Sequence, residues 1–398
     1  MKIGIIDADL IGRKKHRFPN LASMKLSAYH KEQGDDVTLI CSYDNMSAYD
    51  KVYVSKVFTD TIVPDEIINM PNVECGGTGF YYDKAQPLPY EIEHHMPDYH
   101  LYDEWVNFQL ANGGKKKDFI YYTDYSIGFL TRGCFRGCEF CVNKNYKKCV
   151  AHSPLKEFLD PSRPKICLLD DNFFACSEWR SLIEEVKASG KGFQFKQGLD
   201  ERLLTDDKIH ELVTWKYDGH FLFAFDNLED KELIESKLQR LYELYPNFKK
   251  QLKFYVLCGY DRNLRWDDEF WHKDIHDTFE RIKVLSKYSA LPYIMRYEKC
   301  YTSDYVNYYT VIAGWCNQPN MFKKFSFRDY CKCKGMDDYA PMYKMDVDRY
   351  LKEIGIKYSA WRYMESLEYA MPNLANEYFD FRPCELAIYG ADVKLLNE

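Results

Sequence analysis

Residues 131–144 read TRGCFRGCEFCVNK. Cys134, Cys138 and Cys141 stand in this stretch at C-x3-C-x2-C spacing, directly after an apolar segment, SIGFLTR (126–132), that reads as a strand. Thiolates bind iron–sulfur clusters, and a cubane usually takes four of them. A short loop carrying three cysteines can wrap three corners and leave one iron open to a small chelating molecule. Gly133 and Gly137 allow the tight bends such a loop needs. Phe140, just before the last cysteine, can shield a cluster and present its backbone to a ligand. Arg132 and Arg136 either balance the charge of a thiolate-bound cluster or lie as solvated surface.

Downstream, short apolar runs alternate with helix-like stretches. KICLL (165–169) ends at Asp170, Asp171 and Asn172, and GFQFKQ (192–197) ends at Gly198. GHFLFA (219–224) ends at Phe225, Asp226 and Asn227, KFYVL (253–257) at Cys258 to Asp261, and LPYIM (291–295) at Arg296. Counting 126–132, these are six strands with polar residues just past each. That pattern predicts a whole or partial β/α barrel with its chemistry at the carboxyl rim, or else a second open sheet. Helices are expected over 206–215 and 229–242.

Upstream, KIGIID, DVTLI (36–40) and 51–57 read as strands, with a helix over 20–33 ended by Gly34. This βαβ rhythm predicts an open doubly wound parallel sheet, with ligands beyond its strand ends near residues 7–12 and 76–79. Residues 81–118, with Pro87, Pro89, Pro97, paired His94 and His95, and Lys115 to Lys117, read as an irregular connector wrapping the surface. The fold class is therefore α/β. Domain limits are expected at 1–118, 119–320 and a small C-terminal extension, 321–398, with a helix over 345–353.

The 398 residues carry 54 Lys+Arg against 61 Asp+Glu, so no overall basic excess supports a long non-specific nucleic-acid groove. No apolar run of membrane length is present. The start, MKIGIIDADLIG, does not read as a secretion signal. A cytoplasmic protein is expected, and in that reducing compartment clustered cysteines mean metal or catalysis more often than disulfides.

CFRGCEFC at the end of a first barrel strand resembles the cluster motif of the radical S-adenosylmethionine (SAM) superfamily, in which the residue before the last cysteine is usually aromatic. LLDDNFF (168–174), KQGLDERLLT (196–205), FAFDN (223–227) and YVLCGYD (255–261) resemble successive barrel strands of members with an N-terminal cobalamin-binding-like domain. The resemblance covers about residues 119–300, and more weakly 1–80. It implies a 4Fe-4S cluster on Cys134, Cys138 and Cys141, with SAM chelated at the open iron. One electron, from a flavodoxin- or ferredoxin-like reductant, splits SAM into methionine and a 5′-deoxyadenosyl radical, which takes a hydrogen atom from a substrate. It further implies Asp171 and Asn172 near the SAM amino group, where the family's usual GGE-type segment is missing. Gln197 and Arg202 become candidates for ribose and carboxylate contacts. Asp200 is a SAM candidate or a partner of Arg202, and Phe140 meets adenine through its backbone. Tyr260, Asp261 and Arg296 lie at later strand ends, facing SAM or substrate.

Cobalamin domains that use a protein histidine carry D-x-H-x-x-G. Here the matching stretch is DADLIG, without that histidine. Some relatives bind cobalamin without it, and others keep the fold and bind nothing. Gly76, Gly77 and Gly79 resemble the corrin-facing glycines, or form a plain turn. Two alternatives stand beside the main reading: a cobalamin-dependent methyltransferase, and a non-catalytic iron–sulfur or zinc protein. The substrate is a small molecule, a peptide or a nucleotide. Cys300, Cys316, Cys331 and Cys333 lack a C-x2-C pair and read as ordinary thiols, His272 and His276 as a surface helix, and Cys149 as no cluster ligand.

Overall fold

The computed structural model describes residues 1–13, 16–335 and 360–389. The helix expected over 345–353 lies outside them. The chain divides into two compact units. The first is residues 1–197 with 216–218, and the second 198–215 with 219–398. The three-part division expected at 118 and 320 remains a proposal.

The first unit opens with β1 (Lys2–Asp7), β2 (Asp36–Leu39), β3 (Lys51–Ser55) and β4 (Val73–Gly76). All pair in parallel in the order β2-β1-β3-β4. Alternate residues of β1 feed opposite faces, as strand geometry requires. Ile3 and Ile5 pack with Met24 and Leu26, and Ile6 packs with Val52, Val54 and Ile67. Met24 and Leu26 belong to the helix Leu21–Glu32. Asn20 caps it by accepting the Ser23 N–H at 3.2 Å, and Gly34 follows it at φ +80°.

The connector is more ordered than its sequence suggests. It holds helices Tyr90–Glu93 and Asp103–Ala111. Tyr99, Leu101, Tyr102 and Val106 are buried against Ile3 and Ile5. It is therefore core and not a surface wrap. Its prolines mark the ends of short elements, while its apolar residues cover the face of β1 that needs burial.

The six downstream strands pair as two three-stranded parallel sheets, one in each unit. The first unit holds β5 (Tyr125–Gly128), β8 (Lys165–Leu168) and β9 (Gly192–Phe195), in the order β5-β8-β9. Between β5 and β8 lies a two-stranded antiparallel ribbon, β6 (Thr131–Arg132) with β7 (Val150–Ala151). The apolar run 126–132 is thus broken after Gly128, and its last two residues join the ribbon. In the second unit β10 (Phe221–Ala224), β11 (Leu252–Cys258) and β12 (Leu291–Arg296) pair in that order. Helices Asp206–Thr214 and Lys231–Leu244 follow close to expectation, while the helix expected on the surface at His272 and His276 runs over Asp268–Lys287 and buries one face, with Trp271, Ile275, Phe279 and Ile282 inside.

Two glycines give a test of backbone constraint. Gly77 has φ +100°, and a Cβ there would overlap the Lys56 carbonyl oxygen. Gly34 has φ +80° with nothing within 4 Å. Gly34→Ala carries only conformational strain, about 1 kcal/mol. Gly77→Ala adds the overlap and is expected to cost roughly 1–3 kcal/mol. Thermal unfolding of the two variants checks the order, and equal losses would contradict it.

Candidate functional site

The cysteine loop springs from the β6–β7 ribbon, which holds its two ends together through the pairs Thr131–Ala151 and Arg132–Val150. Gly133 has φ +94° and Gly137 φ +61°. At Gly133 a side chain would strike the Lys148 carbonyl oxygen, so the two arms of the loop approach each other there. Inside the loop, the Cys141 N–H donates to the Cys138 carbonyl at 2.9 Å, and the Lys144 N–H to the Cys141 carbonyl at 3.2 Å. Donors reach cysteine sulfur: the Arg136 N–H to Cys134 Sγ at 3.4 Å, Asn172 Nδ2 to Cys134 Sγ at 3.3 Å, and the Asn143 N–H to Cys141 Sγ at 3.4 Å. Hydrogen bonds to ligating sulfurs are one of the levers that set the potential of an iron–sulfur centre. All three cysteines are half-buried and free of disulfides.

No group of three or more His, Cys, Asp or Glu among the described residues is gathered as a single metal ion would need. Thiolates on a cubane bind separate irons, not one shared ion. The thiols, the glycine bends and the sulfur-directed donors fit a cluster of that kind.

The run after β8 secures the loop residue by residue. Asp170 is fully buried and accepts the Leu130 N–H at 3.2 Å and both the N–H and the hydroxyl of Thr131 at 2.7 Å. Burial pushes its carboxyl up to about 7, against the pull of those donors. Asp171 accepts the Gly133 N–H at 2.7 Å with one oxygen and Asn143 Nδ2 at 2.6 Å with the other. Burial raises its proton affinity as well, with Arg132 opposing. Asn172 reaches Cys134. Asp171 and Asn172, expected near the SAM amino group, are brought to the cysteine loop and bond to it. Arg132 and Arg136 lie over the rings of Phe129 and Phe135, at 4.0 and 4.9 Å.

A further support comes from residues that sequence reasoning missed. The Tyr82 hydroxyl donates to the Phe140 carbonyl at 2.6 Å. Asp83 pairs with Lys144 at 3.2 Å, and its carbonyl accepts Asn145 Nδ2 at 3.1 Å. Asn143, likewise missed, is the loop's own contribution to the Asp171 bridge. No spacing rule marks these residues, because their partners lie far along the chain: 58 and 62 positions away for Tyr82 and Asp83, and 28 for Asn143.

The remaining candidates are spread over both units. Gln197 is exposed at the end of the first. In the second, Arg202 pairs with Asp200 at 2.7 Å and with Asp230 at 2.8 Å. Glu201 between them is fully buried, and burial holds its carboxyl toward the neutral form. Asp261 accepts the N–H groups of Asn263 and Arg265, Tyr260 meets the edge of Tyr297, and Arg296 donates to Thr310. Cys300, Cys316 and Cys331 are buried and Cys333 is exposed. His272 and His276 lie on the helix Asp268–Lys287.

At the carboxyl edge of the N-terminal sheet, Asp9 takes the place of the cobalamin-ligating histidine; it is fully buried and accepts the Val57 N–H at 2.7 Å and the Thr61 hydroxyl. Asp7 is fully buried, accepts the Tyr102 hydroxyl at 2.9 Å and stands 3.3 Å from His16. Cβ atoms at Gly77 and Gly79 would run into Lys56 and, at Gly79, Phe58 as well. These glycines make room for the chain's own backbone. The residues here do not fit a corrin held through a protein histidine or seated on those two glycines.

No family model matches the chain, and no curated protein does. Among the solved structures that are similar is the cobalamin-dependent S-adenosylmethionine radical enzyme OxsB with aqua-cobalamin and S-adenosylmethionine bound, at 11% identity and a TM-score of 0.34. The match covers 98% of this chain and 58% of that one. Among the described residues, no helix is long and apolar enough to cross a membrane.

Thiol reactivity separates loop cysteines from packing cysteines. Burial pushes the thiols of Cys149 and Cys167 up to about 12, so both stay protonated and slow to alkylate. In metal-free folded protein, iodoacetamide is expected to label Cys134, Cys138 and Cys141 well before Cys149 and Cys167. Peptide mass spectrometry reads the order, and early labelling of Cys149 would refute it.

Proposed function

We propose that this chain is a radical SAM enzyme, with Cys134, Cys138 and Cys141 holding a 4Fe-4S cluster and a β/α barrel, whole or partial, as its catalytic frame. The observation that carries this is the cysteine loop itself: C-x3-C-x2-C spacing, two glycine bends, and N–H donors directed at Cys134 and Cys141. When bound, cluster and SAM supply one-electron scission of the sulfonium to methionine and a 5′-deoxyadenosyl radical, which removes a hydrogen atom from a substrate C–H bond.

The chain's residues have definable tasks in this reading. Asp170, Asp171 and Asn172 fix the loop, so that the three sulfurs face one centre. Phe140 shields that centre from water on one side. Gln197, Asp200 and Arg202 are proposed SAM contacts. Arg202 already sits between two carboxylates, so its guanidinium is oriented before any ligand arrives. A flavodoxin- or ferredoxin-like protein is the proposed electron donor, and the substrate is a small molecule, a peptide or a nucleotide.

The test is anaerobic reconstitution with iron and sulfide, followed by SAM and a strong reductant, with 5′-deoxyadenosine measured by mass spectrometry. Wild type is expected to form it. Alanine at Cys134, Cys138 or Cys141 is expected to abolish both the brown cluster absorbance and the product. A triple variant that still formed a normal cubane and cleaved SAM would overturn the site.

A further inference from the structure

Tyr82 is a bulky residue in a backbone state that glycine normally takes. Its φ of +50° and ψ of −120° belong to the first central position of a type II′ turn. A non-glycine side chain held there is strained, and such strain persists only where the surroundings impose it. The surroundings are visible. The preceding turn is bonded to the segment after β3: the Gly79 N–H donates to the Lys56 carbonyl at 3.0 Å, and the Thr78 hydroxyl to the Val57 carbonyl at 3.2 Å. At Gly77 and Gly79 the turn packs so closely on Lys56 that a Cβ would overlap it. The turn therefore delivers Tyr82 from a fixed base, and its hydroxyl meets the Phe140 carbonyl between the second and third cysteines. Asp83, the next residue, takes Lys144 and Asn145 on the far side of Cys141. The two residues thus grip the loop on both sides of its last cysteine.

We propose that Tyr82 is a positioning residue: with Asp83 it forms a clamp through which the N-terminal sheet sets the Phe140–Cys141 segment, and so the affinity of the site for SAM. This rests on the radical SAM reading. The strained backbone is explained by the side chain's task, since glycine would satisfy the turn but could not reach Phe140. Because Phe140 is the residue expected to meet adenine through its backbone, its carbonyl is fixed by Tyr82 before SAM arrives.

The experiment uses the full chain with Tyr82→Phe, which removes only the hydroxyl, and Tyr82→Gly, which also relieves the backbone. In metal-free protein, hydrogen exchange over residues 138–146 is expected to quicken in both variants. After reconstitution, iron and sulfide per chain should stay near wild type. The SAM concentration giving half of the SAM-induced change in the cluster's electron paramagnetic resonance spectrum should rise about three- to tenfold, the loss of one hydrogen bond. The limiting rate of 5′-deoxyadenosine formation per cluster should hold. Unchanged exchange in both variants overturns the clamp. Faster exchange with an unchanged SAM titration overturns the positioning role. If wild type takes up no cubane, the radical SAM reading fails, and the exchange measurement alone decides the clamp, faster supporting it and unchanged refuting it.

Discussion

Asp171 ties the base of the cysteine loop to its far arm: one oxygen holds the Gly133 N–H and the other the Asn143 amide, ten residues further along the chain. The loop has little regular structure, so its backbone N–H groups need partners from elsewhere. The run after β8 supplies them, with Asp170 taking residues 130 and 131, Asp171 taking 133 and 143, and Asn172 donating to Cys134. That bridge joins the arms of the loop beyond the short β6–β7 ribbon at its base. The course of the loop that carries the three cysteines is thus tied to this carboxylate.

Polar residues past the strand ends serve the frame as much as the site. In the second unit Arg281 is 2% exposed and donates to the carbonyls of Phe225, Asp226 and Leu257 at 2.9–3.0 Å. One guanidinium there satisfies the ends of β10 and β11. Asp226 accepts the Leu257 N–H, joining the same two strand ends. These strand ends therefore form a network in which buried charge is matched by backbone groups, as burial of polar atoms demands. A residue's position beyond a strand does not by itself make it a ligand contact.

The N-terminal sheet illustrates the same economy. Its carboxyl edge, where ligands of open α/β sheets are usually found, is occupied by Asp7, Tyr102 and the close approach of Gly77 and Gly79 to the segment after β3. What the edge sends outward is the turn bearing Tyr82 and Asp83, which meets the cysteine loop. Within the first unit the domain is thus joined to the site by specific hydrogen bonds rather than by sequence proximity.

The sequence by itself determined the local elements and the cysteine loop. Alternation and apolar runs located β1, β2, β3, β8 and β9, Gly34 marked the end of its helix, and the spacing of Cys134, Cys138 and Cys141 singled out the loop, because each of these signals is carried by neighbours in the chain. The tertiary structure decided the rest. It made residues 99–106 core, since a strand face of Ile3 and Ile5 had to be covered. It paired six strands as two sheets, since hydrogen-bond partners across strands leave no periodic trace. It turned Asp171 into a brace and brought Tyr82 to Phe140, since contacts between residues far apart in sequence are set by packing geometry, which composition and spacing do not encode.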